Sequence, residues 1–408
     1  MKRALIMTVG TGTNPSTCIV KPLVKSVKNS RPDFLVLIAT QTSRDYATTI
    51  ASESQLAEDA FEIIELNDME NFQSVFSVIN EVFENLRLKG FALDDIEVDF
   101  TSGTKAMSAG AVLSATYNQC QSIKYITGKR EGGVVKDGTE EFRTIIPQAV
   151  FSLHDLKLAE QMIYNLRFSP ALQIISGINK NTLSASENNR LKALKDISSF
   201  YENWDIFNHK KAYKKLSKIN WTGFEIFKPE EKACELIELL SNNKPETVRP
   251  QLIIDIFNNA VRRSVEGKYD DAVARLYRVV ELIAQHILSS CYKIKTGDVN
   301  IDKVPESRRE KLEKTRDKKD NKIKIGLFAS YDLLSELGHE SGKIFYENEQ
   351  LQGYLKNRNS SIMAHGLDPI NETIFKGLKE NVVELAEFAC PNFPDIARQC
   401  QFPWIDYK

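Results

Sequence analysis

The 408-residue chain carries 54 Lys and Arg against 55 Asp and Glu, a net charge of −1, with 42% hydrophobic residues. That length exceeds one comfortable core and predicts two or three domains, and the composition excludes large-scale disorder. Balanced charge excludes a global field drawing the chain to nucleic acid or membrane, so any polyanion site must be local.

The opening MKRALIMTVGTG has an apolar run too short for an export signal, and it passes directly into a Gly/Thr turn. It reads as a first strand, Ala4 to Gly10. No run approaches the length of a membrane span. Pro15 to Ser30 reads as a helix, FLVLIAT (34–40) as a second strand with Gln41 to Ser43 as its exit loop, and FEIIEL (61–66) as a third strand. Asn71 to Lys89 carries an apolar stripe at helical spacing, including Phe72, Val75, Ile79, Val82 and Phe83. IEVDF (96–100) is a strand, Thr101 to Thr104 a turn, Lys105 to Tyr117 a small-residue helix and SIKYITG (122–128) a further strand. Residues 129–147 read as a hairpin turning at Gly132-Gly133 and Asp137-Gly138. Short strands alternating with helices predict an α/β parallel sheet over 1–150.

After Phe151 the pattern is helical almost throughout. Residues 151–248 form an all-α connector without a polar constellation that suggests chemistry, and NNKPETVRP (242–250) reads as a boundary loop. Residues 249–408 form a helical bundle with a long amphipathic helix over Asp270 to Tyr292, in which Glu281 suits an intrahelical ion pair with Arg275 or Arg278. Between Arg308 and Lys324 lie nine basic and four acidic residues, a solvated run that could also guide RNA. The six cysteines are scattered without a CxxC pair and read as reduced packing residues of a cytoplasmic protein.

Two loops stand where an open α/β sheet binds ligands, beyond the carboxyl ends of its strands. Gly10-Thr11-Gly12-Thr13 follows the first strand. Pro15 occupies the place of a third glycine, so the dinucleotide fingerprint is incomplete, and no GxxxxGK[ST] phosphate loop is present. Thr101-Ser102-Gly103-Thr104-Lys105 lies where a strand passes into a helix N-terminus, which favours an anion. The bland alternative is a capped turn with Ser102 or Thr104 as N-cap. VDFTSGTKAMSAG, with TVGTGTNP and IATQTS, resembles the CRISPR-associated Rossmann-fold (CARF) sensor domain over about 1–150. The resemblance implies a homodimer that binds a cyclic oligoadenylate at Gly10, Thr11, Gly12, Thr13, Thr101, Ser102, Gly103, Thr104 and Lys105, with Thr42 and Ser43 as further contacts.

The most chemical stretch is Leu355 to Gly366. Arg358 and His365 are seven apart, so on a continuous helix they project from one face. Gly366 suits the position after a helix, and Asp368-Pro369 the N-cap and first residue of the next. Arginine forks onto phosphate oxygens and cannot serve as a base, whereas histidine titrates near neutrality. The bland reading is a surface arginine and a histidine at a helix end. Arg358-Asn359 followed after five residues by His365 resembles the catalytic motif of HEPN-type ribonucleases, and a sensor joined to such a bundle resembles type III CRISPR accessory ribonucleases.

The expected architecture is thus a Rossmann-like parallel-sheet domain, an all-α connector and a HEPN-like helical bundle. The resemblances imply a cyclic oligoadenylate-activated single-stranded RNA endoribonuclease that needs no metal cofactor, with Arg358, Asn359 and His365 catalytic. The rival is a non-enzymatic ligand-responsive regulator whose helical half binds DNA or a protein partner; 252–400 shows no persuasive helix-turn-helix. A metal nuclease would need clustered carboxylates, which the helical half does not offer.

Overall fold

The computed structural model describes residues 2–12, 19–131, 134–136, 138–242, 248–359, 361 and 366–405. The chain forms two compact units, residues 1–157 with 177–189, and residues 158–176 with 190–408.

In the first unit the order is β1 (Ala4–Val9), α1 (Val20–Ser30), β2 (Phe34–Ala39), α2 (Arg44–Glu53), β3 (Phe61–Glu65), α3 (Phe72–Leu88), β4 (Ile96–Asp99), α4 (Lys105–Tyr117) and β5 (Ser122–Thr127). A short pair β6 (Arg130–Glu131) and β7 (Val134–Val135) follows, then β8 (Glu141–Ile145) and α5 (Gln148–Tyr164). The main sheet runs β3-β2-β1-β4-β5-β8, parallel except for β8, which pairs antiparallel with β5. The expected hairpin over 129–147 is therefore partly a separate two-stranded ribbon and partly a sixth strand of the sheet. Its glycine turn at Gly132-Gly133, with Asp137, lies outside the described residues.

Both faces of the sheet are covered, which is why its central strands are near-continuous apolar runs. Alternation within β1 divides the core: Ala4 and Ile6 pack with Val75, Ile79 and Phe83 of α3 and Met107 and Ala111 of α4. Leu5, Met7 and Val9 pack instead with Leu23 and Val27 of α1 and Ile50 of α2. The starts of α3 and α4 are set by side chains. Asn71 accepts from the amides of Gln73 and Ser74 (3.0 and 3.2 Å), and Thr104 accepts from Met107 N at 3.2 Å. Each satisfies amide donors that a helix N-terminus otherwise leaves unpaired. Because β1 pairs with β2 on one side and β4 on the other, the sheet reverses its strand order between β1 and β4, the place where such sheets take ligands.

The second unit is helical: α6 (Phe168–Gly177), α7 (Ala185–Asp205), α8 (His209–Leu216), α9 (Glu231–Ser241), α10 (Pro250–Val265) and α11 (Tyr269–Tyr292). After these come α12 (Glu306–Glu313), α13 (Leu327–Glu336), α14 (Glu340–Glu347), α15 (Glu349–Asn359), α16 (Glu372–Ala386) and α17 (Phe393–Gln399). The long α11 packs against α10, α13, α15 and α16. Its ion pairs run within the helix, Arg278 to Glu281 at 2.9 Å and Arg275 to Asp271 at 3.0 Å.

A buried polar cluster joins α7, α8, α10 and the C-terminal segment. Asp255 accepts from Trp204 Nε1 at 2.9 Å and lies 2.7 Å from His209 Nε2. Arg262, with no exposed surface, donates to Asp205 and Gln401, both at 2.8 Å, and its guanidinium sits 4.0 Å from the centroid of Phe402. Residues 190–242 thus share a core with α10 and α17. Among the described cysteines, Cys120 and Cys400 are buried, and burial pushes both thiols up to about 12. No helix among the described residues is long and apolar enough to cross a membrane.

Candidate functional site

At the switch point between β1 and β4 the loops after β1, β2 and β4 enclose a cavity of about 400 Å³. The loop after β1 and the loop after β4 touch. Gly10 N donates to Ser102 Oγ at 3.0 Å, and Thr8 Oγ1 donates to the carbonyl of Ser102. A Cβ at position 10 would stand 2.8 Å from Gly103 Cα, so only glycine permits this approach. Gly103 itself has φ +114°, a conformation that disfavours side chains.

Beneath the loop lies Asp99. Its carboxylate accepts from Thr101 N at 2.8 Å and from the Ser26 hydroxyl. Burial raises its pKa above the ordinary value, opposed by hydrogen bonds from Ser26 and Thr101 and by the Lys124 charge. Thr101 Oγ1 in turn accepts from Ile126 N at 2.9 Å, which ties the loop to β5.

Of the residues expected from sequence, Gly10, Thr11, Gly12, Thr42, Thr101, Ser102, Gly103 and Thr104 all line this one cavity. Thr13 lies outside the described residues. Ser43 is fully buried, donates to the carbonyl of Val9 at 2.8 Å and accepts from Thr40 N, and it is absent from the cavity wall. Lys105 is exposed at the start of α4 and is likewise not part of the wall. The hydroxyl of Thr104 is occupied as N-cap and by a bond to the carbonyl of Met69 at 2.9 Å. None of the described lining residues is charged. Sequence reasoning missed the apolar half of the wall, chiefly Ile19, Leu23, Met107 and Ile126. Thr40 was also missed, although it stands in the IATQTS segment.

In the second unit Arg358 occupies the last turn of α15, half-buried, with its guanidinium 4.6 Å from the ring centroid of Tyr277 on α11. Burial and Glu281 raise the phenol's pKa while Arg358 opposes them, which keeps the ring neutral. The helix ends at Asn359, whose side chain lies outside the description, as does His365. The described Ser361 already stands outside the helix, so α15 does not run on unbroken past it as expected from sequence. Ser361 N and Oγ both bond the carbonyl of Arg358, and Ser361 bridges to Asp368 in parallel pairing. The side-chain bond competes with helical pairing, and the chain leaves the helix axis. The next helix is also displaced from its expected start. Asn371, not Asp368, is the N-cap of α16, accepting from Ile374 N at 3.0 Å, while Ile370 N is held by Asp270 Oδ2. Pro369 accordingly precedes the helix instead of opening it.

Family models match most of the second unit. The one described as Csm6 6H domain covers residues 151–245, and the one described as Csm6 HEPN domain covers residues 241–389. The chain belongs to the Csm6 family of CRISPR type III accessory nucleases. Among solved structures, Enterococcus italicus Csm6 bound to cyclic hexa-2′-fluoro-hexa-dAMP has a TM-score of 0.61 at 14% identity, with 97% of each chain covered. That likeness places the Csm6 fold over nearly the whole chain, the sheet unit included. A second structure, Can2 from Sulfobacillus thermosulfidooxidans in complex with cyclic tetra-adenylate, covers 72% of this chain and 70% of its own at 15% identity. Its TM-score of 0.24 is too low to argue from. A comparison with curated proteins finds no match.

Proposed function

We propose that this Csm6-family chain is a cyclic oligoadenylate-activated, metal-independent endoribonuclease acting on single-stranded RNA in type III CRISPR antiviral defence, as a cytoplasmic homodimer. The observation that carries the reading is the convergence of both glycine- and hydroxyl-bearing loops on one cavity at the sheet's switch point, whose described lining residues carry no charge. A cyclic adenylate presents sugar hydroxyls and base edges, which Thr11, Thr42 and Thr101 can pair, and flat base faces, which Ile19, Leu23 and Ile126 can cover. Its phosphates suit the N-terminal end of α4, where Lys105 adds positive charge from outside the cavity. The fold shared with a Csm6 bound to a cyclic hexa-adenylate analogue supports this assignment.

In the HEPN unit Arg358 stabilises the phosphorane as the ribose 2′-OH attacks its own phosphate. His365 exchanges the protons of the 2′-OH and the leaving 5′-oxygen, and Asn359 orients the phosphate. Two copies across a dimer axis supply two such sets. The products are a 2′,3′-cyclic phosphate and a 5′-hydroxyl. Incubating the protein with single-stranded RNA in EDTA, with and without cyclic oligoadenylates, tests the reading. Ligand-dependent cleavage that survives the chelator and disappears in His365→Ala is expected. Cleavage that needs added metal, or that ignores every cyclic oligoadenylate, overturns it.

A further inference from the structure

Helix α8 reads His209-Lys210-Lys211-Ala212-Tyr213-Lys214-Lys215-Leu216, with Lys218 just beyond it, and contains no acidic residue. At about 100° per residue the lysines at 210, 211, 214 and 215 fall within an arc of roughly 140°. The opposite face is the anchor: His209 and Ala212 are buried, and His209 meets Asp255 in the polar cluster. Lys215 pairs with Asp196 at 3.4 Å. Lys210, Lys211, Lys214 and Lys218 are exposed and form no ion pair among the described residues.

This arrangement runs against local helix electrostatics. Like charges four apart repel, and Lys210 and Lys211 occupy the first turn, where the helix dipole disfavours cations. A chain of net charge −1 has concentrated cations on one short helix at a cost to that helix. The other basic segment behaves differently. Over 308–324, Arg308 is held by Asp332 and Glu336, Lys314 by Glu310, Arg316 by Glu313 and Lys324 by Asp320. Four of the nine cations in that run are thus held by carboxylates spread through or beside it, whereas α8 sets its lysines within two turns that carry no carboxylate at all.

The position of α8 suggests what those lysines serve. Phe207, two residues before the helix, receives the Arg275 guanidinium of α11 at 5.8 Å from its ring centroid. Two residues along the same α11, and so on its other side, Tyr277 carries Arg358. The lysine face therefore begins beside the helix that supports the proposed catalytic arginine. We propose that this face of α8 docks the phosphate backbone of single-stranded RNA, holding substrate at a distance from the scissile bond. The proposal rests on the ribonuclease reading for its purpose, but not for its test. Lysines recognise the backbone as point charges, so the surface confers affinity without sequence preference.

The experiment replaces Lys210, Lys211, Lys214 and Lys218 together by Gln, which keeps helix propensity and removes charge. Circular dichroism and melting establish that the variant folds. Anisotropy with a fluorescent single-stranded RNA then gives the dissociation constant across a salt series for both proteins. Each phosphate contact contributes about 0.7 to the slope of log affinity against log salt, so a loss of up to about three is expected. The variant should also raise KM for long RNA at unchanged kcat, and leave a short oligonucleotide spanning only the cleavage site unaffected. An equal salt slope in both proteins, or a wild type that fails to bind RNA, overturns the docking surface even if cleavage is real. Equal losses of kcat on long and short RNA also overturn it, since α8 would then support the catalytic unit and not the substrate. Absence of cleavage by a wild type that still binds RNA through α8 would sink the ribonuclease reading alone.

Discussion

Tyr277 faces the guanidinium of Arg358 at 4.6 Å, and neither residue is more than half exposed. The ring attracts the cation and also fixes the plane of its fork, which matters for a group that must meet phosphate oxygens in two directions. Tyr277→Leu should therefore slow RNA cleavage by roughly fivefold, about 1 kcal/mol, chiefly in kcat. Tyr277→Phe should restore the rate, because the ring and not the hydroxyl carries the contact; single-turnover kinetics of the two variants decides. In the cavity, Gly10→Ala forces the β1 and β4 loops apart, since its Cβ would lie 2.8 Å from Gly103 Cα. A loss of about 1–3 kcal/mol in stability of the sheet unit and a marked loss of cyclic oligoadenylate affinity are expected, read by denaturation and calorimetry. Asp99 provides a pH test. Its folded pKa is raised, so its contribution to stability is fully present below the ordinary value near 3.8 and is lost as pH rises through the folded value. Relative to Asp99→Asn, the wild type should lose stability with rising pH over that window and then run parallel. A constant difference at all pH values would mean that Asp99 is not the titrating group. Hydroxyls and glycines of the wall were legible because loops display them after strands. Ile19, Leu23 and Ile126 were not, because apolar residues in a helix or strand look the same whether they face a core or a cavity.

At the scale of elements, capping chemistry explains which boundaries could be read. Asn71 and Thr104 sit at the starts of α3 and α4 because their side chains take the free amides, and both starts were visible in sequence. The segment after α15 misled for the same kind of reason. Asp368-Pro369 has the composition of a helix start, yet Asn371 two residues later does the capping, and Asp270 of α11 holds Ile370 N. A tertiary contact from 100 residues away cannot be seen in local composition. Nor could the cluster around Asp255 and Arg262, whose partners come from positions near 205, 255 and 401. That cluster makes a strong prediction. Arg262→Ala takes away the cation 3.7 Å from the fully buried Asp255, one of the donors to Asp205 and to Gln401, and the group stacked on Phe402, a loss of about 3–5 kcal/mol for a buried charge stripped of its partner. Urea titration followed by fluorescence of the three tryptophans, all of which lie in this unit at 204, 221 and 404, measures it. A midpoint within error of wild type would show that the cluster contributes nothing net.

For the whole molecule, the proposed sensing by the sheet unit and cutting by the helical unit are coupled only if the ligand prefers the active arrangement, because differential affinity alone shifts such an equilibrium. Linkage then runs both ways. A 2′-deoxy-substituted RNA that occupies the cleft without being cut should tighten cyclic oligoadenylate binding by roughly five- to 150-fold, about 1–3 kcal/mol. The gain should shrink in Arg358→Ala; an analogue that binds yet leaves ligand affinity untouched would show two tethered but independent units. The division into an α/β part and a helical part was legible from the change of hydrophobic period near Phe151. The sharing of one core by 190–242 and the later helices was not, since period reports an element's own faces and never its neighbour. That shared core reaches to Gln401, Phe402 and Trp404, which close over Arg262, Tyr201 and Trp204. During translation these residues are still inside the ribosome when the rest of the unit has emerged. The helical unit therefore cannot complete its interior until residues 401–404 have emerged as well. A stop codon just before residue 401 would leave α6 to α17 all encoded and the core they share open.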